Sequence, residues 1–445
     1  MSRIVLCSWG SFGDLNPMLG LATALRARGH VPVLALPPYY RAVCEALGFA
    51  FVGLEPDADP EKDAAMVRRV MDPRRGAEVI FREVLMPALA QQYATLRELA
   101  DDADLLISHP GVPAAPIAVA KTGVRWVSTV LAPLSFLSAY EPVIPPVAPW
   151  LRYLGYDRLA RFADWMAGGA RLVADKWVTP VYELRASLGL PRGAHPVFEG
   201  SHAPSGVLAM FSRVLASPQP DWPPNVTITG QVRYDVAHGA ALTPALETFL
   251  AAGPPPIVFT LGSSAVEVAG TFYEHSLAAA RRLGRRAVLL AGRQRTASLA
   301  ARAAREAGDA APDVMVVESA PHSLLFPRAA AVVQQCGIGT VGTALHAGVP
   351  ILAVPFANDQ PDNAWRLERL GVARTLYPNR YTPRRAAREL EVLLGMRSYS
   401  EAAARVAEQV RAEDGAAAAC EVIEGVLEGN PKQPTTHDQK PETQN

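Results

Sequence analysis

Apolar positions along this chain fall into short unbroken runs, and longer stretches with helical spacing separate them. The first run, Ile4–Trp9, precedes a stretch in which Met18, Leu21, Ala22 and Leu25 recur three or four residues apart. A second run follows at Val31–Leu36. Asn16 can cap, Pro17 suits a first helical turn and Gly29 ends the pattern, so a helix is expected over Pro17–Arg28. Strand, helix and strand in that order open a parallel sheet. Further strands are expected at Phe51–Leu54, Asp104–Ser108 and Arg125–Val130, with helical spacing between them, notably over Ala77–Ala100. Phe136–Leu190 is rich in aromatics and reads as short helices.

A second series starts at Ile257–Leu261. It continues through Ala287–Ala291, Val314–Val317, Ala331–Val333, Ile351–Val354 and Ala373–Leu376. Helices are expected near Phe272–Leu283, Gln360–Leu370 and Pro383–Leu394, and Tyr399–Leu427 reads as an amphipathic helical end. Between the two series, Ser217–Gly239 holds Pro218, Pro220, Pro223 and Pro224 and reads as a hinge. The expected organisation is therefore an N-terminal domain over 1–216, a linker over 217–239 and a C-terminal domain over 240–429. The polar segment 430–445, with three prolines, is expected to be disordered. Each domain is expected to be a doubly wound α/β unit, and 445 residues suit two cores better than one.

Composition narrows the function classes. The 43 basic and 43 acidic residues balance, which removes any general electrostatic case for nucleic acid or an anionic membrane. Arg far outnumbers Lys and Ala is abundant, as in high-GC bacterial coding. The four cysteines, Cys7, Cys44, Cys336 and Cys420, have neither disulfide nor zinc spacing and read as reduced thiols. Met1-Ser2-Arg3 leads directly into a strand and no apolar run is long enough to span a bilayer, so a cytoplasmic location is expected, with peripheral membrane contact left open.

The richest stretch is Ala331–Asn363. A strand breaks at Gly337 and Gly339 and restarts as a helix near Thr340, which lets backbone N–H groups approach an anion such as a diphosphate. Gly348-Val349-Pro350 stops that helix, another buried strand follows, and Asp359-Gln360 stands just past its end. Ligands in open α/β sheets bind outside the carboxyl ends of strands. Two successive strand ends thus offer phosphate donors and then an acid/amide pair.

This order, with Gly13-Asp14 before Pro17 and Asp221-Trp222-Pro223 before Thr229-Gly230, resembles glycosyltransferase family 1 from Ile4 to about Glu428. Within that family the sequence is most similar to the bacterial rhamnosyltransferases of glycolipid synthesis and to macrolide and glycopeptide glycosyltransferases. The resemblance implies the GT-B fold, two Rossmann-like domains facing across a cleft with the last helix crossing back to the first domain. It implies a metal-independent inverting transfer, with a nucleoside-diphosphate sugar as co-substrate and no cofactor. The sugar would pass, L-rhamnose or another deoxysugar foremost, to a hydroxyl of a hydrophobic lipid or natural-product acceptor.

The resemblance, and for His109, Ser263, Ser264, Asp102 and Asp104 their positions at strand and helix ends, nominate residues. Asp14 stands where relatives carry a catalytic Asp, with helix capping as its bland alternative. His109, at the end of a strand, is an auxiliary base or acceptor contact, or simply structural. Gln335, Gly337, Gly339 and Thr340 would hold the donor phosphates, with Ser263 and Ser264 as a second contact. Gln334-Gln335 replaces the His-His or His-Pro of relatives and brings no positive charge. Asp359 and Gln360 would hold the donor sugar. Ser319, Ala320 and Thr343 would face the nucleoside; Ser319 replaces the usual stacking aromatic, and Thr343 replaces the Glu that grips the ribose in plant relatives. Asp102 and Asp104 form an Asp-x-Asp pattern at a helix end and are not expected to bind metal. The aromatics from Trp150 to Tyr182 pack the core or line an acceptor cavity. Two rival readings remain, a sugar-nucleotide epimerase of similar fold and a non-catalytic nucleotide-binding activator protein. The glycines at 10, 13 and 20 lack dinucleotide spacing, which argues against an NAD enzyme.

Overall fold

In the computed structural model, residues 1–59, 63–154, 156–234, 241–307 and 313–429 are described. The segment 430–445, expected to be disordered, lies outside them. The first sheet contains β1 (Arg3–Cys7), β2 (Val31–Leu36), β3 (Ala50–Gly53), β4 (Leu105–Ser108), β5 (Arg125–Val130), β6 (Val207–Ala209) and β7 (Val226–Ile228). Its strand order is β3-β2-β1-β4-β5-β6-β7, with every pairing parallel. The second contains β8 (Ile257–Thr260), β9 (Ala287–Leu290), β10 (Val314–Val317), β11 (Ala331–Gln334), β12 (Ile351–Ala353) and β13 (Ala373–Thr375). Its order, β10-β9-β8-β11-β12-β13, is also all parallel. In both sheets the order reverses beside the first strand, which opens a crevice at the carboxyl ends of β1 with β4 and of β8 with β11. Two such sheets are the GT-B fold.

Residues buried on both sheet faces explain why the strands read as unbroken apolar runs. Ile4, Leu6 and Leu34 face one core, Val5, Cys7 and Val33 another. The helix Gly415–Leu427 joins the first domain by packing against the helix Phe12–Ala27 and β5, so that Ala419, Cys420, Ile423 and Val426 enter the core that also holds Leu21, Leu25 and Val127.

Four local expectations are corrected. The first helix runs Phe12–Ala27 and is capped by Ser11, so it begins well before Pro17 and Asn16 lies inside it. A proline at the sixth position is tolerated here although it removes one intrahelical hydrogen bond. The strands β6 and β7 have only three residues each, too short to show a period. As a result the proline-rich segment 217–239 supplies the seventh strand of the first sheet before it leads onward. Residues 156–175 form one helix of 20 residues rather than several short ones. The C-terminal stretch is two helices, Arg397–Arg411 and Gly415–Leu427, because the Asp414 side chain caps the second by accepting from Ala417 N–H.

Candidate active site

The cleft between the domains has a volume of about 2010 Å³, and the carboxyl ends of both sheets open into it. Asp14, His109, Ser319, Ala320, Gln335, Gly337, Gly339, Thr340, Thr343, Asp359 and Gln360 all line it. Ser263 and Ser264 lie in the short helix Gly262–Ala265 after β8, and their side chains fall outside the described residues.

Asp14 enters the cleft from the first turn of the helix Phe12–Ala27, just after β1. Its Oδ2 accepts from Ser11 N–H at 2.7 Å and from the Ser11 hydroxyl at 3.1 Å, and Ser11 Oγ in turn accepts from Gly13 N–H at 3.2 Å. This reciprocal capping box satisfies the free N–H groups of the helix and fixes the carboxylate's direction. Gly10, at φ +141°, makes room for it, since a Cβ there would lie 2.2 Å from Asp14 Oδ2. Capping therefore occupies one carboxylate oxygen. The other, Oδ1, stands 3.6 Å from His109 Nε2.

His109 follows β4, the neighbour of β1, so topology brings the two residues together across 95 positions of chain. Its Nδ1 accepts from Gly111 N–H at 3.1 Å, which leaves the proton of the neutral ring on Nε2, facing Asp14. Burial pushes the imidazole below its ordinary pKa, and the Asp14 charge only partly opposes this. The pair can hold a proton at Asp14 Oδ1 next to a neutral N–H donor.

On the opposite wall β11 ends at Gln334 and the chain turns through Gln335, Cys336 and Gly337 into the helix Ile338–Ala347. Cys336 has φ +70°, a left-handed backbone that a cysteine rarely adopts. The Asn363 side chain holds it there, donating from Nδ2 to Cys336 O at 3.0 Å and to Asp359 Oδ2 at 2.7 Å. One amide thus couples the phosphate-type turn to the acid of the next strand end. The first turn of the helix has no side-chain cap, so its N–H groups face the cleft as anion donors. Gln335 Nε2 lies against Gly262, where a Cβ would come within 2.4 Å, and Gln335 Oε1 is buried with no hydrogen-bond partner. The Thr343 hydroxyl donates to Gly339 O at 3.1 Å, which spends its proton inside the helix.

Asp359 stands at the start of the helix Gln360–Arg369 without capping it. Burial raises its pKa to about 7, Asn363 opposes the shift, and the Asp14 charge across the cleft adds to it. Gln360 keeps only part of its amide for the cleft. Its Oε1 accepts from Phe356 N–H at 2.8 Å and from Ala357 N–H at 3.2 Å, so the carbonyl is spent on its own loop and the NH₂ group remains as a donor.

Other residues in the sequence motifs are structural. Asp221 accepts from Ser138 Oγ at 2.8 Å and from Ala139 N–H at 2.7 Å, and Trp222 stacks on Phe136 at 4.1 Å. Asp104 accepts from Arg3 N–H at 2.8 Å, away from the cleft. Among the described residues no group of three His, Cys, Asp or Glu could hold a metal ion. Sequence reasoning missed His322, which lines the cleft beside Ser319 and Ala320 with its ring stacked on Phe326 at 4.5 Å. It also missed Gln231, whose Nε2 donates to Gly339 O at 3.2 Å. Each is a lone polar residue with no spacing signal.

Comparison with known proteins agrees with this fold. Residues 295–426 match the family model described as erythromycin biosynthesis protein CIII-like, C-terminal domain. The O-mycaminosyltylonolide 6-deoxyallosyltransferase of Streptomyces fradiae is 31% identical over 437 residues, spanning 95% of this chain and 97% of its own. The glycosyltransferase VinC, solved in complex with dTDP, superposes with a TM-score of 0.65 at 22% identity, over 96% of this chain and 100% of VinC. The spinosyn rhamnosyltransferase SpnG, solved with thymidine diphosphate, gives 0.64 at 19% identity, over 95% and 100%.

Proposed function

This protein belongs to the macrolide-type glycosyltransferases of family 1, enzymes that use nucleotide sugars, and we propose that it transfers a deoxysugar from a thymidine-diphosphate donor to a hydroxyl of an apolar natural product or lipid, with inversion and without a metal. The observation that carries this reading is the facing arrangement of the Asp14–His109 pair and the Cys336–Thr340 turn across one cleft.

The roles follow from that arrangement. The acceptor hydroxyl gives its proton to Asp14 Oδ1 as its oxygen attacks the anomeric carbon and the bond to the diphosphate breaks. His109 Nε2–H orients that oxygen. Charge growing on the leaving diphosphate meets the N–H groups at the start of the helix Ile338–Ala347 and the Gln335 amide, neutral donors in place of the cationic His of relatives. Asp359 and the Gln360 NH₂ group hold the sugar. Attack from the Asp14 side with departure toward the turn is an in-line displacement, hence inversion.

Thr343 supports the choice of nucleotide. Its hydroxyl proton is spent on Gly339 O, and no carboxylate stands in its place to grip a 2′-hydroxyl. A deoxyribose therefore leaves little unpaired. The 6-deoxyallosyl specificity in the name of the Streptomyces relative, and the thymidine diphosphate bound by VinC and SpnG, point the same way.

Titration with dTDP and UDP, followed by mass spectrometry of hydroxylated amphiphiles incubated with dTDP- and UDP-sugars, tests the proposal. The expected result is tighter dTDP binding and a product one deoxysugar heavier. A tenfold preference for the UDP donor would overturn the nucleotide assignment. Tight binding with no transfer to any acceptor would favour an activator protein, and donor hydrolysis without an acceptor would favour an epimerase.

A further inference from the structure

Eleven large apolar side chains are exposed among the described residues, and eight of them fall between Tyr140 and Val173. Such clustering is unusual on a water-facing surface. Within the helix Tyr156–Asp175, Leu159, Ala163 and Ala174 face inward, whereas Phe162, Trp165, Leu172 and Val173 share the outer face. Trp165 and Leu172 leave 78% and 75% of their surfaces open. Arg158 and Arg161 are exposed one turn earlier on the same side. Gly168 and Gly169 sit in the middle of this helix, and a Cβ at either would meet nothing within 4 Å, so no packing contact requires them. They leave the face flat between Trp165 and Leu172.

Trp and Phe on one side of a helix, beside guanidinium groups, suit the boundary between headgroups and acyl chains, where the rings enter and the charges stay with phosphate. The face is also continuous with the cleft, because Trp150, Trp165 and Val173 line the cleft and are themselves exposed.

We propose that this face docks on a bilayer with anionic headgroups, with the helix Tyr156–Asp175 lying in the interface, and that the acceptor passes from the bilayer along Trp165 and Val173 into the cleft. The second half rests on the reading of an apolar acceptor; the docking itself does not. The balanced overall charge gives no long-range attraction, so contact depends on this face alone.

Flotation of the full chain with vesicles of phosphatidylcholine, with and without phosphatidylglycerol, tests the docking. The full chain is expected to float with the anionic vesicles, at least about tenfold more strongly than with the neutral ones. Phe162→Ser with Leu172→Ser should remove binding to both, and neither residue lines the cleft, so turnover on a water-soluble acceptor should persist. Arg158→Gln and Arg161→Gln should each weaken anionic binding by about fivefold while sparing what remains on neutral vesicles. Failure of the unmodified chain to float would overturn the proposal, as would sedimentation showing that the Phe162/Leu172 variant turns a dimer into a monomer or loses a bound protein. Long-chain acceptors still preferred without flotation would leave the acceptor reading standing, whereas flotation with only polar acceptors used would sink that reading and keep the docking.

Discussion

Asp14 offers one carboxylate oxygen to Ser11 and the other to the cleft, so its capping and proposed catalytic roles separate in a single substitution. Asp14→Asn keeps an oxygen for the Ser11 N–H but cannot take a proton from the acceptor. Turnover should fall by about 10²–10⁴-fold with dTDP affinity and melting temperature nearly unchanged. Near-normal turnover would leave Asp14 as a helix cap. Asp359 gives a pH-dependent prediction. Its pKa is raised in the fold to about 7 from the ordinary 3.8, so the folded protein holds the extra proton between those values. Its contribution to stability is then full below pH 4 and is lost as pH rises through about 7. Because part of the residue still faces the cleft, the loss is on the order of 1–2 kcal/mol. Asp359→Asn should flatten that slope in urea titrations at pH 5 and pH 8, and an unchanged slope would mean that another group carries it.

At the scale of elements, the donor wall depends on two strand-to-helix turns that touch. Gly262 has φ +62° and lies against Gln335, so Gly262→Ala both strains the backbone and displaces the amide. A cost of about 1–2 kcal/mol is expected, with donor KM rising more than acceptor KM. Equal changes in both would show a general loosening instead. Ser11→Ala removes the hydroxyl from the capping box and should cost about 0.5–2 kcal/mol, with a fall in kcat because the Asp14 carboxylate is then anchored by the Ser11 N–H alone. Stability lost without any change in kcat would show that Ser11 does not aim Asp14.

The two domains meet through an ion network buried behind the sugar site. Arg366, 2% exposed at its side chain, pairs with Asp362 at 2.7 Å and with Glu141 at 3.0 Å, and it donates to Leu215 O at 2.9 Å. Asp362 also accepts from Ile144 N–H at 2.9 Å. The helix that carries Asp359 and Gln360 at one end thus grips the acceptor-domain loop with its body. Arg366→Ala leaves Asp362 buried without its cation and Glu141 with only Arg369 at 3.8 Å, and should destabilise the fold by about 3–5 kcal/mol, seen as a lower denaturant midpoint. A change below about 1 kcal/mol would mean that water replaces the guanidinium.

Much of this was legible without coordinates, for physical reasons that can be named. Strands buried on both faces are largely apolar throughout, so β1, β2, β8, β9 and β11 announce themselves, and glycines at Gly337 and Gly339 mark a backbone that approaches a ligand. Those local constraints determined the fold class, the family resemblance and many of the candidate residues, though not His322 or Gln231. Three-residue strands such as β6 and β7 carry too few positions for a period, and a capping box at Ser11 and Asp14 was hidden by the louder signal of Pro17. Only the tertiary structure decided the rest, because it depends on contacts between distant segments. Parallel pairing of β1 with β4 sets His109 beside Asp14, Asn363 ties Cys336 to Asp359, and the loop at Phe356 and Ala357 claims the Gln360 carbonyl. Which atom of a polar side chain remains for chemistry is set by the neighbours that already hold the others, and those neighbours are chosen by topology.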